Sequence, residues 1–133
     1  MKINSEQEMI EFGESFEPKS NVIELIGDVG TGKTTFVRGL AKSLDIKEPI
    51  TSPSFTISKS YAGQKKNLVH YDFYRLKDPG IMVEDLEENI KNKGNIVVIE
   101  WSDTVKDILP KNHTVINIKY NDDGTRELEI SSH

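Results

Sequence analysis

The sequence contains no cysteine, which excludes disulfides, thiolate metal centres and cysteine nucleophiles. Histidine is nearly as scarce: His70, His113 and His133 are too scattered to read as a zinc site, so any metal must be held by oxygen. Arg38, Arg75 and Arg126 are the only arginines, leaving few candidates for a role that needs a guanidinium. Positive charge is short as well. Against 22 Asp and Glu stand 17 Lys and Arg, a formal net of -5, and no basic run exceeds Lys65-Lys66. A broad face for direct nucleic-acid binding is therefore not expected, because neutralising phosphates needs clustered cations; a local basic groove stays open. No apolar run approaches the roughly 20 residues that span a bilayer, and the mean hydropathy is -0.50. The opening stretch MKINSEQEMIEF is acidic rather than a charged-then-apolar export signal. These absences predict a soluble, cytoplasmic chain with no membrane association and no disulfide-linked partner.

No repeat, low-complexity tract or linker interrupts the 133 residues, so a single domain over 1–133 is expected. Ser5-Glu6-Gln7-Glu8 has the spacing of a capping box, and Met9, Ile10, Phe12 and Phe16 follow at near-helical intervals. That predicts an opening helix ending near Pro18. Val22-Ile23-Glu24-Leu25-Ile26 reads as a buried strand, and Phe36, Val37, Leu40, Ala41 and Leu44 mark one face of a helix. Alternation predicts a strand within 50–60 and another over 68–76, paired as an antiparallel hairpin across the turn at 63–67. Asp78-Pro79-Gly80 breaks the chain before a short acidic helix with Met82 or Val83, Leu86 and Ile90 on one side. Ile96-Val97-Val98-Ile99 predicts a central strand, Ile108-Leu109-Pro110 a short helical turn, and 114–120 with 126–130 a terminal hairpin. The alternation of strands and helices predicts an α/β domain.

Gly27-Asp28-Val29-Gly30-Thr31-Gly32-Lys33-Thr34 fits G-x-x-x-x-G-K-[ST] at every fixed position, between a predicted strand and a predicted helix. Gly27, Gly30 and Gly32 let the backbone turn its N–H groups inward toward phosphate oxygens at the positive end of the following helix. In that chemistry Lys33 bridges the β- and γ-phosphates, Thr34 supplies a hydroxyl to Mg²⁺, and Thr35 reaches the α-phosphate. The alternative is a glycine-rich turn without a ligand.

Base choice is read from what surrounds the loop. Asn92-Lys93-Gly94-Asn95 approaches the guanine-reading N-K-x-D but lacks the final carboxylate and precedes a strand rather than ending one, so ATP is expected. Hydrolysis needs a carboxylate near Mg²⁺ or the attacking water. Glu100 and Asp72 each end an apolar run, where a side chain points toward the crevice in which α/β sheets bind ligands. On residue type alone Trp101 reads as core filling, with a cover over the nucleotide as the alternative. Thr51-Ser52-Pro53-Ser54-Phe55-Thr56 reads as a turn entering a strand, or as a segment whose hydroxyls sense the γ-phosphate.

Four motifs occur in order: Gly27 to Phe36; Ser52-Pro53-Ser54-Phe55-Thr56; His70-Tyr71-Asp72-Phe73-Tyr74-Arg75-Leu76; and Ile99-Glu100-Trp101. Together they resemble the TsaE (YjeE) family, small bacterial ATPases of tRNA threonylcarbamoyladenosine biosynthesis. The resemblance implies a P-loop NTPase-like fold with a mixed sheet flanked by helices, and weak intrinsic ATPase activity. It implies work with the TsaB–TsaD assembly, which transfers a threonylcarbamoyl group to adenosine 37 of tRNAs reading codons that start with A, so that tRNA is met through partners. By similarity Lys33 and Thr34 bind phosphates and Mg²⁺, Glu100 serves the Mg²⁺ shell, Asp72 acts on the γ-phosphate side, Trp101 belongs to the nucleotide site, and 52–56 is switch-like. Arg75 follows the family's Tyr-Arg pair. The chain departs from the family around 81–89, where a glycine is missing and Asn89 replaces an aromatic residue. A competing reading is an ATP-dependent binding module whose ordered loop docks a partner, with hydrolysis incidental. A small-molecule kinase is disfavoured because 133 residues leave little room for the lid and acceptor domain that exclude water during transfer.

Overall fold

The structure is a computed structural model and describes residues 1–53, 56–74, 76, 78, 80 and 82–132. Its elements in chain order are β1 (Lys2–Ile3), α1 (Glu6–Ser15), β2 (Val22–Ile26), α2 (Lys33–Ser43), β3 (Ser58–Tyr61), β4 (Asn67–Asp72), α3 (Met82–Lys91), β5 (Asn95–Glu100), two short 3-10 turns (Ser102–Thr104 and Lys106–Ile108), β6 (Thr114–Tyr120) and β7 (Arg126–Ser132). One mixed sheet runs in the order β1-β7-β6-β2-β5-β4-β3. Strands β4, β5, β2 and β6 are mutually parallel, while β3, β7 and β1 add antiparallel edges. Every residue of β5 is buried, as an interior parallel strand covered on both faces requires. The α/β class, the mixed sheet and the central place of 96–99 agree with the sequence reading.

Helices α1 and α2 cover one face. Ile23, Leu25, Phe36, Val37, Leu40, Ile96 and Val98 form the core beneath them, and Phe12, Phe16 and Phe36 interlock at ring separations of 5.6 to 5.9 Å. The two helices touch backbone to backbone. A Cβ on Gly13 would lie 2.4 Å from the Phe36 carbonyl oxygen, and one on Gly39 2.2 Å from that of Ile10, so glycine is required at both. Helix α3 covers the other face with Leu86 and Ile90, packed against Val22, Val69, Tyr71, Val97 and Ile99.

Three local expectations change, and one strand was not expected. The strand expected within 50–60 forms only from Ser58, because the Pro53 carbonyl accepts hydrogen bonds from the Thr56 and Ile57 amides at 3.2 and 2.7 Å and turns the chain. The strand expected over 68–76 ends at Asp72, whose carboxylate accepts the Tyr74 amide at 2.9 Å and starts a turn. The Ser5 cap forms, with Oγ accepting the Glu8 amide at 3.1 Å, but Glu8 reaches back to the Asn4 amide at 2.7 Å rather than to that of Ser5. Strand β1, two residues paired with β7, is too short for any periodicity to reveal. The atypical Asn89 bonds the Tyr71 hydroxyl and Asn95 at 2.7 and 3.1 Å, tying α3 to the sheet.

Candidate functional site

The parallel strands place the ends of β2, β4 and β5 along one edge of the sheet, and the loop from Gly27 to Gly32 leaves β2 there. Gly30 and Gly32 hold φ of 85° and 108°, a region that costs most other residues strain. A Cβ on Gly27 would sit 2.7 Å from both the Ile118 carbonyl oxygen and Thr31 Oγ1. The loop closes on itself, since the Thr31 amide and hydroxyl both donate to the Asp28 carbonyl at 3.2 and 2.9 Å. Asp28 and Val29 are exposed, while Thr34 and Thr35 are half-buried in the first turn of α2. That helix has no side-chain cap, so its leading N–H groups and the positive end of its dipole face the loop. Such an end binds anions.

Lys33 folds back over this loop. Its Nζ donates to the Gly27 carbonyl at 2.7 Å, stands 3.3 Å from Glu100 Oε1 and lies 4.6 Å from the centre of the Trp101 ring. Glu100 ends β5 and is buried; its second oxygen bonds His70 Nε2, and His70 is wholly enclosed with no partner for Nδ1 among the described residues. Burial alone would push the Glu100 carboxyl up, but the His70 bond and charge, with Lys33, outweigh it and hold the group below its ordinary value. Asp72 is also buried and stands opposite Glu100 in the β4–β5 register, so both carboxylates and His70 share the face turned toward α2. Trp101 adopts φ 55° and packs its ring 4.7 Å from that of Tyr74. It is half-buried and lies outside both hydrophobic clusters, so it does not fill the core. A cleft of about 620 Å³ opens beside it, bordered by Gly27, Asp28, Lys33, Asn117 and Tyr120.

Ser54 and Phe55, of the segment that the resemblance makes switch-like, and Arg75, of the family's Tyr-Arg pair, lie outside the described residues. Beside the former pair, Ile57 holds φ 69° and its carbonyl accepts the Asp72 amide at 2.7 Å. A β-branched residue in that region is strained.

Two partnerships escaped the sequence reading. His70 was one of three scattered histidines, and only the β4–β5 register brings it to Glu100. Glu24 lay unnoticed inside an apolar run, yet a carboxylate in a buried strand requires partners. It has them: the Ser102 hydroxyl donates to it, and His113 Nε2 lies 2.9 Å from Oε1 while Nδ1 lies 2.7 Å from the Pro110 carbonyl. This cluster pins the segment after Trp101 to the sheet. Burial raises the Glu24 carboxyl, but the Ser102 and His113 bonds and the Lys106 charge bring it net below the ordinary 4.5. A depressed carboxyl contributes stability above its unfolded value, lost as pH falls through the folded one. Melting temperature is therefore expected to fall below about pH 4.5, and Glu24→Gln to lower it at neutral pH while flattening that acid-side fall. Melts from pH 7 to pH 3 check this; an undiminished acid-side fall in the variant would remove Glu24 from the linkage.

Fold and loop together define a P-loop NTPase-like α/β domain. The family model described as "Threonylcarbamoyl adenosine biosynthesis protein TsaE" matches residues 3–128, and this chain belongs to that family, whose role lies in tRNA threonylcarbamoyladenosine biosynthesis. Proteins described as "tRNA threonylcarbamoyladenosine biosynthesis protein TsaE" are similar to it across most of its length. That of Nostoc sp. is 41% identical over 84% of this chain and 70% of the relative. That of Haemophilus influenzae is 34% identical over 96% and 85%, and that of Bacillus subtilis 36% over 89% and 73%. The solved structure described as "Crystal structure of Bacillus subtilus YdiB" superposes with a TM-score of 0.78 at 29% identity, covering 99% of this chain and 83% of that one.

Proposed function

We propose that this chain binds and hydrolyses Mg-ATP in the cytoplasm to drive or reset the TsaB–TsaD complex during threonylcarbamoylation of tRNA adenosine 37. One observation carries the reading: a buried lysine ammonium is held between a loop carbonyl and an ionised carboxylate at the uncapped start of α2. A cation so placed, with the N–H groups of a glycine-shaped cradle around it, fits a polyphosphate. Lys33 exchanges its bonds to Gly27 and Glu100 for β/γ-phosphate oxygens, and the amides of 30–35 take the rest. Thr34 and Glu100 are the oxygen ligands for Mg²⁺, which would neutralise charge on the phosphate oxygens. Mg²⁺ needs only one or two protein ligands when phosphates and water supply the others. His70 keeps Glu100 ionised and aimed, Asp72 polarises the attacking water on the γ-phosphate side, and Trp101 with Tyr74 covers the bound nucleotide.

The absence of a guanine-reading N-K-x-D favours ATP. Calorimetric titration with Mg-ATP and Mg-GTP tests this: ATP binding well above GTP binding is expected, and no binding of either would refute the nucleotide reading.

The binding-module reading keeps one specific support, the Asp72–Ile57 hydrogen bond, which ties the end of the switch-like segment to a proposed catalytic strand. If ordering alone matters, Glu100→Gln, binding ATP without hydrolysing it, supports full tRNA modification with TsaB–TsaD. We expect that it does not.

Contact with tRNA comes through partners in this reading. The fold nevertheless gathers Lys19, Lys66, Lys93 and Lys111, distant in sequence, around a hollow of about 490 Å³ with no carboxylate in its lining. It faces away from the phosphate loop, at the opposite ends of the parallel strands. With these four lysines as the phosphate contacts, the isolated chain is expected to bind tRNA weakly, with a log–log salt slope of about -4. Anisotropy titrations across a salt series measure it, and tight salt-resistant binding would contradict the partner-mediated reading.

A further inference from the structure

We propose that Arg126 is a positioning residue for the phosphate loop, clamping its backbone from the C-terminal hairpin in the conformation that presents the Gly32 amide to phosphate. The inference rests on the nucleotide reading above and assigns a role that no motif in the chain suggested. Arg126 opens β7, in register with Tyr120 of β6 and Ile3 of β1, 95 residues from the loop residue it touches. Its Nε donates to the Thr31 carbonyl at 2.9 Å, and Nη2 reaches the Gly30 carbonyl at 3.5 Å. The guanidinium is itself held in place. Nη1 donates to the Gly124 carbonyl at 2.8 Å, Nη2 to the Tyr120 hydroxyl at 2.7 Å, and the fork lies 3.6 Å over the Tyr120 ring. Among the described residues no carboxylate pairs with it, so its charge stays beside the loop.

The consequence follows from peptide geometry. In a trans peptide the C=O and the next N–H point in opposite directions, so turning the Thr31 carbonyl outward to Arg126 turns the Gly32 N–H inward. At Gly30 the same pull favours the Thr31 amide bond that closes the loop onto Asp28. Gly30 and Gly32 are free to adopt many other conformations, and each of those would have to be given up on binding. A rigid fork reaching two successive carbonyls removes that freedom in advance, and lysine cannot reproduce it.

Arg126 also borders a hollow of about 270 Å³ with Met9, Gly32 and Thr35, so direct contact with the base or ribose is the rival role. Inorganic tripolyphosphate separates the two because it has neither. Arg126→Ala is expected to raise the Kd for Mg-ATP about tenfold, and the Kd for Mg-tripolyphosphate by the same factor, through the loss of a preorganised charge-assisted bond. KM should rise with kcat within about twofold, as uniform binding predicts, and Arg126→Lys should recover only part of the loss. Should the alanine variant fail to fold, the lysine variant must still show both Kd values raised. Unchanged Kd values in a folded variant would overturn the clamp, as would a rise for ATP alone, or a fall in kcat without a rise in KM. Wild-type chain that binds neither ligand would instead refute the nucleotide reading beneath it.

Discussion

Lys33→Ala is expected to weaken Mg-ATP binding by about a hundredfold or more, since two charge-assisted bonds worth about 1.5–3 kcal/mol each are lost. The chain should still fold. The apolar buried face of α2 is carried by Phe36, Val37, Leu40 and Ala41, which the substitution leaves in place. The substitution leaves Glu100 buried with His70 still bonded to it, so a stability loss of about 1–3 kcal/mol accompanies it. Calorimetry and a melting curve on one preparation separate the two effects. A folded variant with wild-type affinity would end the phosphate-loop assignment.

Glu100→Gln and Asp72→Asn should act on turnover instead. Catalysis of phosphoryl transfer is largely positioning and electrostatics, and removing one preorganised group commonly costs about 10²–10³ in kcat. Glu100→Gln is expected to fall in that range with the nucleotide Kd changed only a few-fold, because the phosphates keep Lys33 and the loop amides. Asp72→Asn should follow the same pattern; its side-chain oxygen can still accept the Tyr74 amide that its carboxylate accepts now, so the fold is spared. Single-turnover kinetics with a binding titration check both. Normal hydrolysis by either variant withdraws that residue's role.

What could be read from the sequence and what could not divides along physical lines. The glycine loop at 27–32 was legible as a tight strand-to-helix turn because its glycines are demanded by positive φ and close approach, requirements that fix their spacing. Glu100 and Asp72 were legible as acids ending apolar runs, since a strand's end faces the crevice. Partners across the sheet were not. The His70–Glu100 bond depends on β4–β5 register, the Glu24 cluster on where the 3-10 turns settle, and the contact between Arg126 and Thr31 on a hairpin folding back across the whole chain. The segment 50–60 misled because alternation is a weak signal over few residues, and the Pro53 carbonyl captured two amides that a strand would have used. Glycine inside a helix is intrinsically unfavourable, yet the crossing of α1 and α2 needs Gly13 and Gly39, a demand that only the packed helices reveal.

The central claim is that this chain is a nucleotide hydrolase that works on a partner. Its most direct test is steady-state ATPase turnover, measured with the chain alone and with the TsaB–TsaD pair added. The account predicts slow turnover in isolation, a clear rise with the pair, and loss of that rise in Glu100→Gln. Equal turnover with and without the pair, or none in either case, would contradict it.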